Sequence, residues 1–395
     1  MKRNTLLAPC RIVNVTPHHP LEKGRLGNER SVLAIFWSDE AVPLGRLVLR
    51  GSELPDASEL SRAGRRSAPA SVTVTPGASV SVVVCTRDRP KDLARCLDAI
   101  ADSSCTPEEV IVVDNSPSTP AARDVVAGRP GVRRVLAPEP GLSRARNAGI
   151  ARSTGELIVF TDDDALVAPT WLERLVAPFA DDRVEAVTGL VLPAELETPA
   201  QVVFERLGGF GRGFRRCDYG YGWYLSHRQH GVPVWTIGAG ASMGLRRSAL
   251  ARLGGFDERL GAGAAGCSED SEMWYRILAS GGGCVYEPSA VVWHRHRRNM
   301  AELQSQLHQY MRGHVTSLLV QHAATGDKGN LWRLMIDLPK HYLVQGMLAA
   351  THPSDPRGRC LPAEITGCVA GVLYYLRTRR SPARWQISAR ESPQT

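Results

Sequence analysis

The sequence predicts an α/β fold in which helices cover both faces of a central sheet. Between residues 79 and 191, short runs rich in valine and isoleucine alternate with segments of helical periodicity. These runs are nearly continuous in apolar residues, as in strands that are buried on both faces. The chain of 395 residues also exceeds the size that one hydrophobic core usually supports. We therefore expect a small N-terminal β module and a C-terminal helical extension beside the α/β domain.

The N-terminal module is predicted over residues 1–60. It contains three runs of β type, and the last two flank a hairpin loop at 38–43. Residues 61–78 are small, polar and proline-containing, which is typical of a linker. The three predicted strands cover residues 11–15, 32–37 and 44–50.

The central domain is predicted over residues 79–298. Alternating strands and helices favour a parallel sheet, because each helix returns the chain to the same end of the sheet. Ligands of such sheets bind at the carboxyl ends of the strands, so the informative side chains should follow each apolar run. The predicted strands cover 79–86, 109–114, 132–136, 157–163 and 184–191, and the helices between them begin at Pro90 and near residues 120, 142 and 170.

The C-terminal extension, residues 299–395, is predicted to be helical, with one helix over about 330–349. Its last apolar stretch, 365–376, has twelve residues, fewer than the ~20 that span a bilayer. Residues 353–395 carry seven arginines and three acidic residues, a net charge of +4. Two interpretations stay open. The stretch lies in the interface of an anionic membrane, or it packs on the catalytic domain and ends in a frayed basic tail.

The composition excludes several classes of protein. Apolar residues make up 43% and charged residues 22%, which rules out a wholly disordered chain or a disulfide-rich miniprotein. The nine cysteines include no Cys-x-x-Cys pair, and residues 1–15 are too polar for a signal peptide. These features predict a cytoplasmic protein, peripheral to the membrane at most. The net charge of +8 suits an anionic partner.

Three consecutive carboxylates follow the apolar run LIVFT (157–161), at the end of the predicted strand. Asp162 and Asp164 point to the same side of an extended segment, since side chains alternate along a strand. Burying an ionised carboxylate without a partner costs folding free energy, and a bound hard divalent cation such as Mg²⁺ offsets that cost. The alternative is an acidic loop that caps the helix near residue 170.

A second acidic group opens the predicted helix SEDSEMWYRIL at 268–278. Ser268 or Asp270 caps this helix, and Glu269 and Glu272 fall in its first turn. Capping that matches the helix dipole is one interpretation. A general base at the helix start, facing the cleft, is the other.

Six ordered blocks within residues 79–298 resemble family 2 glycosyltransferases of the GT-A fold. They read VVVCTRDRPKDLARCL, EVIVVDNS, GLSRARNAGIARSTGELIVFTDDD, GAGASMGLRRSALARLGGFDERLG, SEDSEMWYRIL and VVWHRH. The resemblance implies a GT-A type nucleotide-sugar-binding α/β/α sandwich. It also implies a nucleotide-diphosphate sugar donor, a divalent metal (Mn²⁺ or Mg²⁺), and direct displacement that inverts the anomeric centre.

The resemblance also assigns roles by position. Asp162 and Asp164 match an Asp-x-Asp motif, with Asp164 as the direct metal ligand, and His294 completes the metal or diphosphate site. Asp270 takes the place of the base that deprotonates the acceptor hydroxyl, with Glu269 as the alternative. The implied donor-binding residues are Thr86, Asp88, Asp114, Arg144, Asn147, Asp162 and Asp163. One departure is Arg87, which stands where the family usually has an aromatic residue.

Two rival functions remain. A sugar nucleotidyltransferase needs a glycine-rich loop after the first strand, and residues 85–90 contain no glycine. A non-catalytic nucleotide-sugar-binding module would keep the sheet and lose the carboxylates. The expected acceptor is a glycan or a lipid-linked glycan. The Gly-, Arg- and aromatic-rich segment 207–224 resembles RNA-binding segments, but one such stretch inside a domain is weak evidence, so we predict no nucleic-acid partner.

Overall fold

The N-terminal module is a three-stranded sheet packed on a larger one. The computed structural model describes residues 6–16, 29–49, 77–352 and 355–381, so the predicted linker lies almost wholly outside the described residues. The three predicted strands are present as β1 (Cys10–Val15), β2 (Ser31–Trp37) and β3 (Pro43–Leu49). Strand β2 pairs parallel with β1 and antiparallel with β3. Its residues Leu33, Ile35 and Trp37 join the core of the larger sheet.

Nine strands form the larger sheet in the described part of the chain. They are β4 (Val80–Thr86), β5 (Glu109–Asn115), β6 (Val132–Ala137), β7 (Leu157–Asp162), β8 (Ala165–Val167), β9 (Val184–Pro193), β10 (Cys217–Tyr219), β11 (Ser242–Arg246) and β12 (Gly283–His294). In spatial order they run β10, β12, β9, β11, β7, β4, β5 and β6, and β8 pairs with β12 outside this order. All five strands predicted from apolar runs are confirmed.

The five predicted strands run parallel to one another, as expected, but the sheet also contains antiparallel strands that the sequence pattern does not indicate. Strand β11 runs antiparallel between β7 and β9, and β8 and β10 run antiparallel to β12. The sequence of β11 is SMGLR, in which serine, glycine and arginine interrupt any apolar run. Gly244 packs closely there, since a Cβ atom would lie 3.0 Å from Cε2 of Phe179. The close packing of this short strand is a tertiary feature that local patterning does not show.

Helices cover both faces of the sheet, as predicted. Val82 and Val84 of β4 pack in one core and Val83 in the other, so the strand is buried on both sides. The helices of this domain are α1 (Pro90–Ala101), α2 (Ala121–Val126), α3 (Leu142–Arg152), α4 (Trp171–Val176), α5 (Pro199–Arg206), α6 (Tyr221–His227), α7 (Arg247–Leu253) and α8 (Glu269–Ala279).

The C-terminal extension is helical. The helix predicted at 330–349 is in fact α10 (Lys328–Trp332), a π-helical turn (Arg333–Asp337) and α11 (Leu338–Thr351). The long helix α9 (Met300–Thr325) precedes them, and α12 (Leu361–Thr378) follows. Helix α12 packs closely on α9, since a Cβ on Gly367 would lie 2.3 Å from the carbonyl oxygen of His308. Among the described helices, none combines the length and apolarity needed to cross a bilayer.

The close packing of α3 on the sheet gives a stability prediction. A Cβ on Gly149 would lie 2.5 Å from Val83 Cγ1 and 3.2 Å from Val113 Cγ2, whereas one on Gly346 of α11 would meet no atom within 4 Å. We expect Gly149→Ala to lower the free energy of unfolding by about 1–3 kcal/mol through overpacking. The matched helical change Gly346→Ala should leave it unchanged or raise it by up to about 1 kcal/mol. Denaturant titration measures both, and equal losses would contradict the close packing of α3.

Candidate active site

A cavity of about 1300 Å³ opens where β4 and β7 end. Its walls come from α3, the loop 238–241, the start of α8 and the C-terminal helices. The three aspartates that follow β7, the acidic start of α8 and His294 at the end of β12 all line it. The two acidic groups predicted from sequence, more than a hundred residues apart, therefore face one cavity.

Two of the three aspartates and one histidine form a candidate metal centre. Asp162, Asp164 and His294 each offer a ligand atom, and these atoms lie within 4.8 Å of one another. Asp164 Oδ1 is 3.3 Å from His294 Nε2. Burial works against ionisation of Asp164, but His294 and Arg89 outweigh it and hold the pKa of that carboxyl below its usual range. Burial raises the pKa of Asp162, which Arg146 opposes and Asp164 reinforces. Two carboxylates and an imidazole are a suitable donor set for Mn²⁺ or Mg²⁺.

A chain of hydrogen bonds behind His294 orients its ring. His294 Nδ1 lies 3.3 Å from His296 Nδ1, and His296 Nε2 lies 3.0 Å from Glu205 Oε1. Arg46 of β3 reaches the other oxygen of Glu205 at 3.0 Å. Burial lowers the pKa of His296, and its neutral ring donates through Nε2 to the carboxylate. His296 Nδ1 then accepts a hydrogen bond from His294 Nδ1. Burial opposes protonation of His294, but Asp164 outweighs it and raises the pKa of the imidazole, whose Nε2 faces Asp164 Oδ1. A divalent cation bound here would take the place of the Nε2 proton. This arrangement fits a metal-binding histidine.

Asp163 has a different environment from its two neighbours. Its Oδ2 accepts a hydrogen bond from Thr86 Oγ1 at 2.7 Å, and its Oδ1 lies 3.2 Å from Arg89 Nη1. The same Arg89 nitrogen lies 2.9 Å from Asp164 Oδ2. Burial and the adjacent Asp164 raise the pKa of Asp163 to about 6. Asp163 therefore ties the end of β4 to the aspartate cluster.

A buried arginine, Arg146, connects the two acidic groups. Its Nη1 lies 2.6 Å from Glu269 Oε1, and its Nη2 lies 3.6 Å from Asp162 Oδ1. The guanidinium carbon also lies over the rings of Phe160 and Phe256, 5.8 and 5.4 Å from their centres. Burial raises the pKa of Glu269 to about 7, although Arg146 opposes the shift. One cation thus holds the start of α8 against the end of β7.

Sequence reasoning missed Arg146. The Arg-Asn pair of α3 is Arg146-Asn147, and Arg146 rather than Arg144 lines the cavity. A signal was present in the pattern of α3. Arg146 lies four residues after Leu142 and four before the buried Ile150, so it falls on the buried face of the helix. A charged residue at such a position requires a buried partner.

Asp270 lies beside this network at the cavity wall. Its Oδ2 accepts a hydrogen bond from the Gly240 amide at 2.8 Å, and its Oδ1 accepts one from the Ser271 amide at 2.6 Å. The carbonyl of Gly240 in turn accepts a bond from Arg146 Nη2 at 3.4 Å. Asp270 is half-buried whereas Glu269 is buried, so Asp270 is the more accessible carboxylate.

Only part of the predicted donor-binding set reaches the cavity. Thr86, Asp162 and Asp163 line it. Asp88 accepts a hydrogen bond from the Ser118 amide, and Asp114 is buried with its Oδ2 bonded to Arg134. Neither of these two lines the cavity. The neighbouring Asn115 does line it.

The two α3 residues of that set also lie elsewhere. Arg144 pairs with Glu139 and Glu258. Asn147 exchanges hydrogen bonds with the backbone of Phe256 at 2.8 and 2.9 Å. Through these contacts Asn147 holds the loop around Phe256 against α3. Their donor-binding roles stay predictions.

The Arg146–Glu269 pair gives a second stability prediction. We expect Arg146→Met to lower the free energy of unfolding by about 3–5 kcal/mol, because it leaves a carboxylate buried without its cation. Adding Glu269→Gln removes the unpaired charge and should recover part of the loss. Urea titration of the single and double variants measures this coupling. A double variant as unstable as Arg146→Met alone would contradict a direct pair.

The central part of this chain is similar to known proteins. The model of glycosyl transferase family 2 matches residues 81–254, from β4 to the end of α7. A succinoglycan biosynthesis protein, ExoM, of Rhizobium meliloti is 31% identical over 242 residues, which cover 57% of this chain and 69% of that protein. A pre-mycofactocin glycosyltransferase of Mycobacterium tuberculosis is 27% identical over 228 residues, which cover 56% of this chain but 44% of that protein's own length.

A solved structure shares the fold. It is a mannosyltransferase from Pyrobaculum calidifontis, solved in complex with GDP-Man and Mn²⁺. The likeness has a TM-score of 0.52 at 20% identity and covers 77% of this chain and 90% of that one. The predicted GT-A fold is confirmed. Because the family model spans the strands that build the cavity and a 31% identical relative is matched over more than two thirds of its length, the chain belongs to glycosyl transferase family 2.

Proposed function

We propose that this protein is an inverting glycosyltransferase that moves a sugar from a nucleotide-diphosphate sugar to an acceptor hydroxyl. One observation carries the proposal. A metal-binding set and a separate, accessible carboxylate face the same cavity and are connected through Arg146 and Gly240. Transfer with a single displacement needs these two parts, a clamp for the diphosphate leaving group and one base for the acceptor.

Asp162, Asp164 and His294 would hold the divalent cation. When bound, such a cation neutralises charge on the diphosphate as a Lewis acid. The chain adds its own positive charge here. Arg87 and Arg297 also line the cavity, and Arg297 is close enough to lower the pKa of Asp164. These cations attract a diphosphate and stabilise it as it departs.

Asp270 acts as the general base. An alcohol is a weak nucleophile, so a carboxylate that accepts its proton as the new bond forms contributes about 10²–10⁴ in rate. The amides of Gly240 and Ser271 fix the direction of this carboxylate. A retaining glycosidase would instead need two carboxylates flanking the scissile bond. Here Glu269 is paired with Arg146, which leaves Asp270 for the acceptor.

The comparisons support the substrate classes. The mannosyltransferase of similar fold was solved with a nucleotide-diphosphate sugar and Mn²⁺, which supports the same class of donor and cation here. The relative named for succinoglycan biosynthesis supports a glycan acceptor. A lipid-linked glycan is the alternative acceptor.

A donor screen tests the proposal. We expect at least one UDP- or GDP-sugar to be hydrolysed slowly with Mn²⁺ or Mg²⁺, since water replaces the acceptor, and we expect EDTA to stop the reaction. Release of the nucleoside diphosphate by chromatography is the measurement. Full activity in excess EDTA would exclude the metal-assisted mechanism. Consumption of a nucleoside triphosphate with release of pyrophosphate would indicate a nucleotidyltransferase, and binding without any turnover would indicate a binding module.

A further inference from the structure

The C-terminal helices expose an unusual number of apolar side chains. Of the fifteen large hydrophobic residues that are exposed in the described part of the chain, eleven lie between Trp332 and Leu376. Met335, Leu343 and Met347 are 68%, 67% and 64% exposed. Soluble proteins rarely leave so many large apolar side chains together in water, and such surfaces usually mark an interaction site.

These side chains lie on neighbouring helices of the C-terminal extension. Helix α11, all of which is described, has a single buried residue, Leu338, so most of its circumference faces outward. Helix α12 buries Gly367 and Gly371 against α9 and exposes the opposite side. The two helices touch where Tyr342 packs with Cys368 and Val372. We call the exposed set the apolar face. It consists of Trp332, Met335, Ile336, Leu343, Val344, Met347, Leu348, Ile365, Val369, Leu373 and Leu376.

The segment that carries the apolar face has mostly positive charges. Residues 332–381 contain seven lysines and arginines and three acidic residues. Arg377, Arg379 and Arg380 follow the exposed stripe of α12 and are themselves exposed. Large apolar side chains beside a basic cluster are typical of surfaces that lie in the interface of an anionic bilayer.

The apolar face also adjoins the cavity. The cavity continues past the metal centre to the C-terminal helices, where Arg333, His341, Tyr342 and Arg357 line it. Along α11, the cavity-lining residues His341 and Tyr342 come directly before the exposed Leu343 and Val344. A surface seated on the apolar face would lie next to this end of the cavity.

We propose that the apolar face docks this protein on an anionic lipid bilayer, with Leu343, Met347, Val369 and Leu373 inserted among the lipids and Arg377, Arg379 and Arg380 at the end of α12 contacting the headgroups. The choice of a bilayer over a second copy of the chain rests on charge. Two copies meeting through this face would bring like basic clusters together, whereas an anionic surface complements them. The proposal does not depend on the proposed glycosyltransferase activity. It also reconciles the two interpretations of residues 365–376, since α12 packs on α9 through one side and offers the other to the membrane.

Flotation of the full chain with liposomes tests the proposal. We expect the protein to float with vesicles of phosphatidylglycerol mixed with phosphatidylcholine at low salt and to float much less with phosphatidylcholine alone. The double variants Leu343→Glu/Met347→Glu and Val369→Glu/Leu373→Glu should each reduce the partition coefficient by about tenfold or more. The triple variant Arg377→Glu/Arg379→Glu/Arg380→Glu should remove the salt dependence.

A matched control uses exposed apolar residues elsewhere. Leu136 and Leu225 are also exposed, and Leu136→Glu/Leu225→Glu should float like the unchanged protein. Circular-dichroism melting confirms that each variant folds. The salt response is measured on the unchanged protein, so it does not depend on whether any variant folds. Failure of the unchanged protein to float at low salt would overturn the proposal. Light scattering measures the oligomeric state without lipid. If the protein is a dimer that the same variants dissociate, the proposal is overturned in favour of a second copy of the chain. Donor hydrolysis in solution is measured separately, so either idea can fail alone.

Discussion

Replacement of Asp164 with alanine is expected to abolish metal-dependent binding of the donor while leaving the fold intact. Asp164 offers Oδ1 to the same site as His294 Nε2, 3.3 Å away, and removing it leaves one carboxylate and one imidazole. Two ligands hold a hard cation poorly, because Mg²⁺ and Mn²⁺ rely on carboxylate charge for affinity. Arg89 keeps Asp163 as its partner, so the end of β7 stays anchored. Calorimetric titration of a donor nucleotide, with and without Mn²⁺, measures the loss.

The neighbouring aspartate is the control for this prediction. Asp163→Asn also removes a carboxylate, but that carboxylate faces Thr86 and Arg89 rather than the candidate metal site. Its donor affinity should fall modestly and stay metal-dependent. Loss of the metal response in Asp163→Asn, with retention in Asp164→Ala, would reverse the assignment of the two aspartates.

Asp270→Asn is expected to lower turnover by about 10³-fold, within the range for loss of a general base, with donor affinity nearly unchanged. Asparagine keeps the size of the side chain, and its single oxygen can accept from only one of the two amides, Gly240 or Ser271, that bind the carboxylate. It lacks the basicity needed to take a proton from the acceptor hydroxyl. Steady-state kinetics on a donor and acceptor pair, together with donor calorimetry, separate kcat from binding.

The adjacent Glu269 provides the comparison. Glu269→Gln removes the carboxylate that neutralises Arg146 and should act mainly on stability and on the position of α8. Its effect on turnover should be smaller than that of Asp270→Asn. A larger effect on turnover from Glu269→Gln would mean that the base is Glu269.

The sequence predicts those parts of this protein whose signal is local. The strand at 80–86 is recognisable because valine fills both of its faces, and the aspartates after β7 stand out because three carboxylates follow an apolar strand. Strand β11 has no such signal, since SMGLR contains no continuous apolar run and its place between β7 and β9 comes from pairing with distant strands. Strand alternation alone therefore predicts too regular a sheet.

The candidate site divides in the same way. Asp162, Asp164 and Asp270 are found from their positions after a strand and at a helix start. Arg146 and His296 are distinguished mainly by partners far along the chain, and the one local sign is that Arg146 falls on the buried face of α3. Arg146 meets Glu269 across 123 residues, and His296 meets Glu205 across 91. Such pairings are set by the topology of the sheet and leave little trace in neighbouring residues.

The hydrogen-bonded chain behind His294 has a consequence for how this family can be recombined. This series of hydrogen bonds ends at Arg46, which lies on the N-terminal sheet and outside the segment that the family model matches. Exchanging the first sheet with one from a relative would therefore alter the outer end of the support for His294, unless the incoming sheet also presents a cation to Glu205. Transplanting the catalytic domain alone carries the same requirement. In engineering terms, the boundary between the two sheets is a junction that has to be matched by charge as well as by shape.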